Sequence, residues 1–342
     1  MKAVIIGAGA LGLGFLAERL APAYELCLAD VGTRRGLLTE LARRQCYTLN
    51  VCSLCGITRT KVAGSFEAVL SDTPEGLARL REKVSTADLV LTCVGRKNLQ
   101  QVLASVACVM NDCRKHWVLL CENGFHLAEQ HAGCLPPQAV LVDTVMSRMC
   151  RFADPEEKEV YAPLWPGSSD ALAVEEYAFL PLNGVVVQGG PFSSVFSSVS
   201  PEEFLLWEHI KLFLHNGLHA FVACHAHLEG IKRFCDVPGA IRDKAEEVAL
   251  REVVPAILKT HACARPEQIA AYAHVLLQRF FNPHLNDTIA RGIRGLEEKL
   301  LPGERLLGGC EFIARAGIEP RGYASTVAAA KRILAGREHT CL

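Results

Sequence analysis

The chain has 342 residues, 50% hydrophobic and 21% charged. It is too long for one ordinary core, and two domains are predicted, each with a substantial interior. Lys plus Arg (36) balance Asp plus Glu (37), for a net charge of −1, which gives no electrostatic reason to expect nucleic acid or an anionic membrane surface as partner.

Met1 leads straight into the apolar run Ala3 to Ile6 with no basic stretch or cleavage pattern before it. No apolar run reaches the roughly 18 residues of a membrane span. A cytoplasmic protein that does not bind membranes is therefore expected. Fifteen cysteines, odd in number and often set in apolar runs (Cys27, Cys93, Cys121), read as reduced, buried small hydrophobes.

In chain order, Ala3–Ile6, Glu25–Ala29, Leu89–Cys93, Val118–Cys121 and Val140–Val142 read as short strands between amphipathic stretches, the pattern of a parallel sheet with crossover helices. The Thr-rich, β-like segment Tyr47 to Ala63 predicts a hairpin inserted in that sheet domain. A second irregular β-like region, Glu159 to Gly190, extends it. The character changes after Gly189-Gly190-Pro191. Ser200-Pro201-Glu202-Glu203 combines an N-cap serine, a proline at the first helical position and a glutamate at the third. Helical periodicity, punctuated by Pro238, Pro255, Pro266 and Pro283, fills most of the remainder. The expected organisation is an α/β Rossmann-like domain with β insertions over 1–195 and a mostly α-helical substrate domain over 196–342.

Val4-Ile5-Ile6-Gly7-Ala8-Gly9-Ala10-Leu11-Gly12 is a strand running into GxGxxG and a helix. Its glycines permit a tight turn and close backbone approach to a pyrophosphate, and the helix start offers free amides. Asp30 ends the next strand about twenty residues on, where a carboxylate accepts from the adenosine ribose hydroxyls and repels a 2′-phosphate. The cofactor expected is NAD, held by Gly7, Gly9, Ala10, Leu11, Gly12 and Asp30, with Val94 and Gly95 passing it after a later strand. Arg34 and Arg35 would tolerate NADP or simply form a solvated helix start.

In the first helix of the second domain, Lys211, His219 and Asn216 fall at roughly 0°, 80° and 140° on a helical wheel. Alone, the trio is not diagnostic and reads first as a lysine at the edge of an amphipathic helix beside a satisfied core Asn and His.

With its context, the sequence resembles the polyol-specific long-chain dehydrogenase family, also called the mannitol dehydrogenase family. The signature K-x4-N-x2-H is met by Lys211, Asn216 and His219. The resemblance also takes in Gly7-Ala8-Gly9, Ala29-Asp30-Val31, Val94-Gly95, Cys121-Glu122-Asn123, Ala271-Tyr272, Arg279-Phe280 and Asn282-Pro283. It implies a Rossmann domain followed by a helical substrate domain, with the active site in the cleft between. The implied activity is NAD-dependent, reversible oxidation of a polyol or polyol phosphate to the ketose, of the mannitol 1-phosphate/fructose 6-phosphate type. It further implies Lys211 as general base, Asn123 and Asn216 as the amides holding the reacting oxygen, and His219 as a residue positioning that oxygen and the lysine. No metal is implied: two amide donors take the place of zinc.

Three positions depart from the family pattern. Leu13 stands where a basic residue is common, Ser147-Arg148 where an Asp-Arg pair is, and Glu298 in place of a basic residue. Arg291, Arg294, Lys299 and Arg148 remain candidates for substrate oxygens or a phosphate, with solvated helix charges as the alternative. The expected partner is a small polyol or sugar phosphate, the chain acting as a monomer or small homo-oligomer. Two rival readings are a hexuronate or aldonate oxidoreductase of the same family and a dinucleotide-binding regulatory protein with a degenerate substrate site. Cys52-Ser53-Leu54-Cys55 lacks the second pair of a structural zinc site. His215 with His219 lacks the acidic residue of the helical zinc motif.

Overall fold

A computed structural model describes residues 1–110 and 114–338; the last four residues of the expected helical domain, 339–342, lie outside it. The chain divides into two compact units. One comprises Met1–Cys52 and Ile57–Pro201; the other comprises Ser53–Gly56 and the chain from Glu202 onward. The first unit passes residue 195 because Ser197–Val199 pairs in parallel with Pro181–Asn183.

Among the described residues the first unit carries strands β1 (Lys2–Ile6), β2 (Glu25–Asp30), β3 (Cys46–Cys52), β4 (Ile57–Ala63), β5 (Phe66–Leu70), β6 (Leu89–Thr92), β7 (His116–Leu120), β8 (Ala139–Asp143), β9 (Cys150–Phe152), β10 (Leu172–Glu175), β11 (Pro181–Asn183) and β12 (Ser197–Val199). Six of them form one parallel sheet in the order β5-β2-β1-β6-β7-β8. This is the doubly wound order with its switch point between β1 and β6, where ligands bind beyond the carboxyl ends of the strands. The strands read as unbroken apolar runs because both faces are covered. Ala3 and Ile5 of β1 face a core with Leu13, Phe15 and Leu16, while Val4 and Ile6 face another with Leu80, Val84 and Leu99.

The five strands expected from the sequence are all present in this sheet, and β5 is a sixth that the sequence reading did not contain. The expected hairpin is β3–β4, antiparallel from Cys46↔Ala63 to Cys52↔Ile57. It belongs to a separate sheet, β4-β3-β10-β9, which brings part of the second β-like region beside it. Tyr47 on β3 is buried and its hydroxyl donates to the Leu13 carbonyl at 2.6 Å, fastening this sheet to the helix behind the glycine turn.

The second unit is helical. One continuous rod covers residues 201–228: Pro201–His209, a wide stretch Ile210–Gly217, and Leu218–Leu228. In the wide stretch the backbone hydrogen bonds close on the fifth residue instead of the fourth, the π pattern often found at functional sites. Gly12–Ala17 behind the glycine turn and Ala249–Val253 share this geometry. The last of these runs into Pro255, whose ring and missing N–H break a regular ladder. Leu218–Leu228 packs on Ile289–Gly292 and on the C-terminal helix Arg321–Glu338. Among the described residues no helix is long and apolar enough to cross a membrane.

Candidate active site

The glycine turn is built by backbone demands. Gly7 sits at φ +108°, where a Cβ would meet the Cys93 carbonyl oxygen at 2.5 Å, so the turn after β1 closes only with glycine there. A Cβ on Gly9 would meet nothing within 4 Å: the space above the loop is open. Ala10 and Leu11 begin the helix, and first-turn amides have no partner within it.

Asp30, ending β2, accepts from the Ala8 N–H at 2.8 Å with Oδ2 and from the Val31 N–H at 2.7 Å with Oδ1. An ionised carboxylate has about four lone-pair sites, so two acceptor positions remain for ribose hydroxyls. Open space, a helix start and an acid fixed beside the turn fit a dinucleotide. Gly95, at φ +83°, carries the chain from β6 into the helix Arg96–Ala107.

Asn123 is exposed and directly follows Glu122, a carboxylate only 6% exposed. Glu122 accepts from the Thr92 hydroxyl at 2.8 Å and from the Val94 N–H at 3.0 Å. Burial raises its pKa, and these hydrogen bonds oppose the rise. It therefore ties the segment bearing Asn123 to the loop bearing Val94 and Gly95. Nothing in the sequence marks a role for Glu122; only the neighbouring strand ends reveal one.

Arg148 is buried. Its Nε donates to the Glu175 carbonyl at 2.6 Å, and its Nη1 donates to the Gly14 carbonyl at 3.1 Å and pairs with Glu18 at 3.0 Å. Those donors hold the helix behind the glycine turn. The missing acid of the Asp-Arg pair is Ser147, 1% exposed, and Leu13 is fully buried against the sheet, where a basic side chain would have no water.

In the second unit, Lys211 and Asn216 lie on the wide stretch, both half-buried. On an ideal α-helix residues five apart point roughly 140° from one another. In an i→i+5 turn each residue advances by less than on an α-helix, so residues five apart diverge much less, and the wheel expected from the sequence does not hold here. His215, between them, is buried, with its ring edge on Phe280 at 5.5 Å; burial and then the Lys211 charge push its pKa well down.

His219 follows on the regular helix, stacked on Phe234 with ring centres 4.3 Å apart. Its Nε2 lies 3.2 Å from Oδ2 of Asp287, a carboxylate 1% exposed. Arg291 holds the same carboxylate through two bonds, Nε to Oδ1 at 2.7 Å and Nη2 to Oδ2 at 2.6 Å. Burial would raise the Asp287 pKa, but the Arg291 charge and the hydrogen bonds from His219 and Arg291 outweigh it and hold the carboxyl far below its usual range. Burial pushes His219 down to about 4, against the pull of Asp287. A neutral imidazole facing an ionised carboxylate carries its proton on Nε2, which leaves Nδ1 as an acceptor. Asp287 belongs to no sequence motif; the signal available was its i,i+4 spacing to Arg291.

Arg291, Arg294 and Lys299 do not lie on one continuous helix. Two single turns, Ile289–Gly292 and Leu296–Lys299, are broken at Gly295, which has φ +62°. Arg291 is committed to Asp287, Arg294 is exposed, and Lys299 is buried with its Nζ donating to the Gly292 carbonyl. Burial, then the charge of Arg305, brings Lys299 down to about 7. Among the described residues no group of three or more His, Cys, Asp or Glu side chains is arranged to hold a metal ion.

By sheet order and glycine turn the first unit is a Rossmann domain of the kind used by oxidoreductases. The mannitol dehydrogenase Rossmann domain matches residues 1–136 and the mannitol dehydrogenase C-terminal domain matches residues 203–341. A mannitol-1-phosphate 5-dehydrogenase of Pseudarthrobacter chlorophenolicus is 29% identical, over 97% of this chain and 85% of its own length. Another from an Arthrobacter species is 30% identical, over 97% of this chain and 86% of its own. The Pseudomonas fluorescens mannitol 2-dehydrogenase ternary complex with NAD and D-mannitol shares the fold. Its TM-score is 0.79 at 14% identity, over 96% of this chain and 78% of that one. This chain belongs to the mannitol dehydrogenase family.

The buried ion pair yields a stability test. Asp287→Asn leaves Arg291 without its counter-charge and should cost on the order of 3 kcal/mol. Because the folded-state pKa of Asp287 is depressed, its contribution is complete above the unfolded value of about 3.9 and is lost only as pH falls below it. Urea melts at pH 8, 6.5 and 5 should therefore show a constant gap between wild type and variant. A gap that shrinks steadily from pH 7 to pH 5 would show that the carboxyl is not held ionised.

Proposed function

We propose that this chain catalyses NAD-dependent, reversible oxidation of a phosphorylated polyol to the corresponding ketose phosphate, with Lys211 as general base and no metal requirement. The observation that carries the reading is the wide turn that contains both Lys211 and Asn216, a geometry in which residues five apart diverge less than on an α-helix. It joins a base and an amide donor on one backbone turn, with a neutral His219 three residues on. Names of relatives such as mannitol-1-phosphate 5-dehydrogenase favour mannitol 1-phosphate as the first substrate to test.

Gly7, Gly9, Ala10, Leu11 and Gly12 would hold NAD, with Asp30 on its ribose and Val94-Gly95 alongside; bound there it would serve as the hydride acceptor. The chain's own residues do the proton chemistry. A secondary alcohol loses its hydroxyl proton as hydride leaves, and an ordinary lysine, with a pKa of about 10.4, is protonated at neutral pH. A general base in this role would need that value lowered, as desolvation and the positive nicotinamide ring do in principle for a lysine beside them. The amide N–H group of Asn216 would donate to the developing alkoxide, the role the family resemblance also implies for Asn123. His219, fixed by Asp287, offers Nδ1 to a hydroxyl or to the lysine ammonium. Arg294, exposed, offers a guanidinium to the phosphate. Arg291 and Lys299 line the same segment with less freedom, and Arg148 keeps the glycine-turn helix in place.

Three measurements test this reading. In a panel of polyols, polyol phosphates and aldonates, Lys211→Ala should lose a hundred- to ten-thousandfold in turnover while NADH titration gives the wild-type affinity. Near-normal turnover of that variant refutes the base assignment. For the cofactor, Gly9→Ala should melt within a degree or two of wild type, since its methyl group meets no protein atom, yet bind NADH more than about tenfold more weakly. Unchanged affinity would mean that the dinucleotide lies elsewhere. For the phosphate, wild type should prefer mannitol 1-phosphate over mannitol, and Arg294→Ala should lower kcat/KM on the phosphorylated compound alone. Equal losses on both would leave Arg294 a solvated charge.

A further inference from the structure

The wide turn at Ile210–Gly217 lies beside a phenol. Tyr323 of the C-terminal helix is only 1% exposed, and its hydroxyl donates to the Phe213 carbonyl, an oxygen in the middle of the stretch between Lys211 and Asn216. Two glycines make room for it. A Cβ on Gly217 would collide with the Tyr323 hydroxyl, and a Cβ on Gly309 would collide with its ring. The ring therefore fills a slot that exists only because positions 217 and 309 carry no side chain.

The phenol is held from behind as well. Glu252, buried on the wide stretch Ala249–Val253, accepts from the Gly322 N–H at 2.7 Å and the Tyr323 N–H at 3.4 Å. A carboxylate placed there satisfies first-turn amides of the helix Arg321–Glu338 and complements its dipole. The start of that helix cannot slide without breaking this bond.

Wide turns are rare because their hydrogen-bond geometry is poorer than that of an α-helix, and a side chain inserted into the ladder is a recognised cause of such departures. We infer that Tyr323 is a positioning residue: by holding the Phe213 carbonyl it keeps residues 210–217 in the five-residue turn, where Lys211 and Asn216 diverge less than on an α-helix. The inference rests on the reading of those two residues as base and amide. Tyr323 touches neither substrate nor cofactor in this account, and it acts through the backbone.

Tyr323→Phe keeps the ring in its slot and removes only the donor. Turnover is measured per NADH-binding site, fixed by titration, on whichever substrate of the panel above the wild type turns over fastest. The expected result is a loss of about tenfold or more in kcat per site, since small misplacements of reacting groups are costly. NADH affinity should stay within about twofold, and the primary deuterium isotope effect on kcat should rise as hydride transfer becomes slower. A merely structural tyrosine would lower the melting temperature or the fraction of binding sites and leave turnover per site and the isotope effect unchanged; that result overturns the inference. If Tyr323→Phe does not yield soluble protein, Gly217→Ala, which pushes the hydroxyl away, is measured in the same way with the same two outcomes. Lys211→Ala runs beside both. If it is inactive and Tyr323→Phe behaves as wild type, only the positioning role falls; if Lys211→Ala is active, the underlying mechanism falls.

Discussion

The structure of the second unit depends on one departure from regular helix, the five-residue turn at residues 210–217. A K-x4-N spacing is awkward on an α-helix, where the two side chains diverge by roughly 140°. Widening the turn reduces that divergence at the cost of weaker backbone hydrogen bonds. The neighbouring packing is arranged around that cost. Tyr323 takes the Phe213 carbonyl, Gly217 and Gly309 clear the space, and Glu252 anchors the helix from which Tyr323 projects. The same geometry recurs behind the glycine turn at Gly12–Ala17, where Arg148 and Tyr47 take the Gly14 and Leu13 carbonyls. Each of these two widened helices thus has backbone oxygens held by a buried side chain from elsewhere in its own unit.

Electrostatics supplies the second constraint. A buried carboxylate is tolerable only when paired, and Asp287 is paired twice, to Arg291 and to His219. The arrangement uses up much of the Arg291 guanidinium and sets the tautomer of His219. In the first unit Glu122 plays a comparable part with neutral donors, joining the end of β6 to the end of β7 beneath Asn123. Both acids leave the proposed catalytic groups where they are by fixing their neighbours.

How much of this was legible in the sequence follows from how local each signal is. The glycine turn and Asp30 were legible because strand, turn and helix are contiguous and the acid lies a short crossover away. The hairpin β3–β4 was legible from its β-rich composition, and the helix beginning at Pro201 from its capping pattern. Strand β5 was missed because Phe66-Glu67-Ala68-Val69-Leu70 follows the hairpin with only Gly64-Ser65 between. Its place beside β2 is fixed by pairing with residues forty positions earlier. The wide turn was missed because nothing in Ile210–Gly217 names it; its partner is 110 residues away. The setting of Arg291 and Arg294 was not legible either: the turn bearing Arg291 closes at Gly292, before Arg294, and the next begins only after Gly295.

A crystal structure of the chain with NADH and a polyol phosphate tests whether the wide turn organises the site. It should show i→i+5 backbone hydrogen bonds through residues 210–217, the Tyr323 hydroxyl on the Phe213 carbonyl, and the Lys211 Nζ and Asn216 amide nitrogen both within hydrogen-bond distance of the same substrate oxygen. A regular α-helix through that stretch, with Lys211 and Asn216 pointing to different surroundings, would contradict that role of the turn.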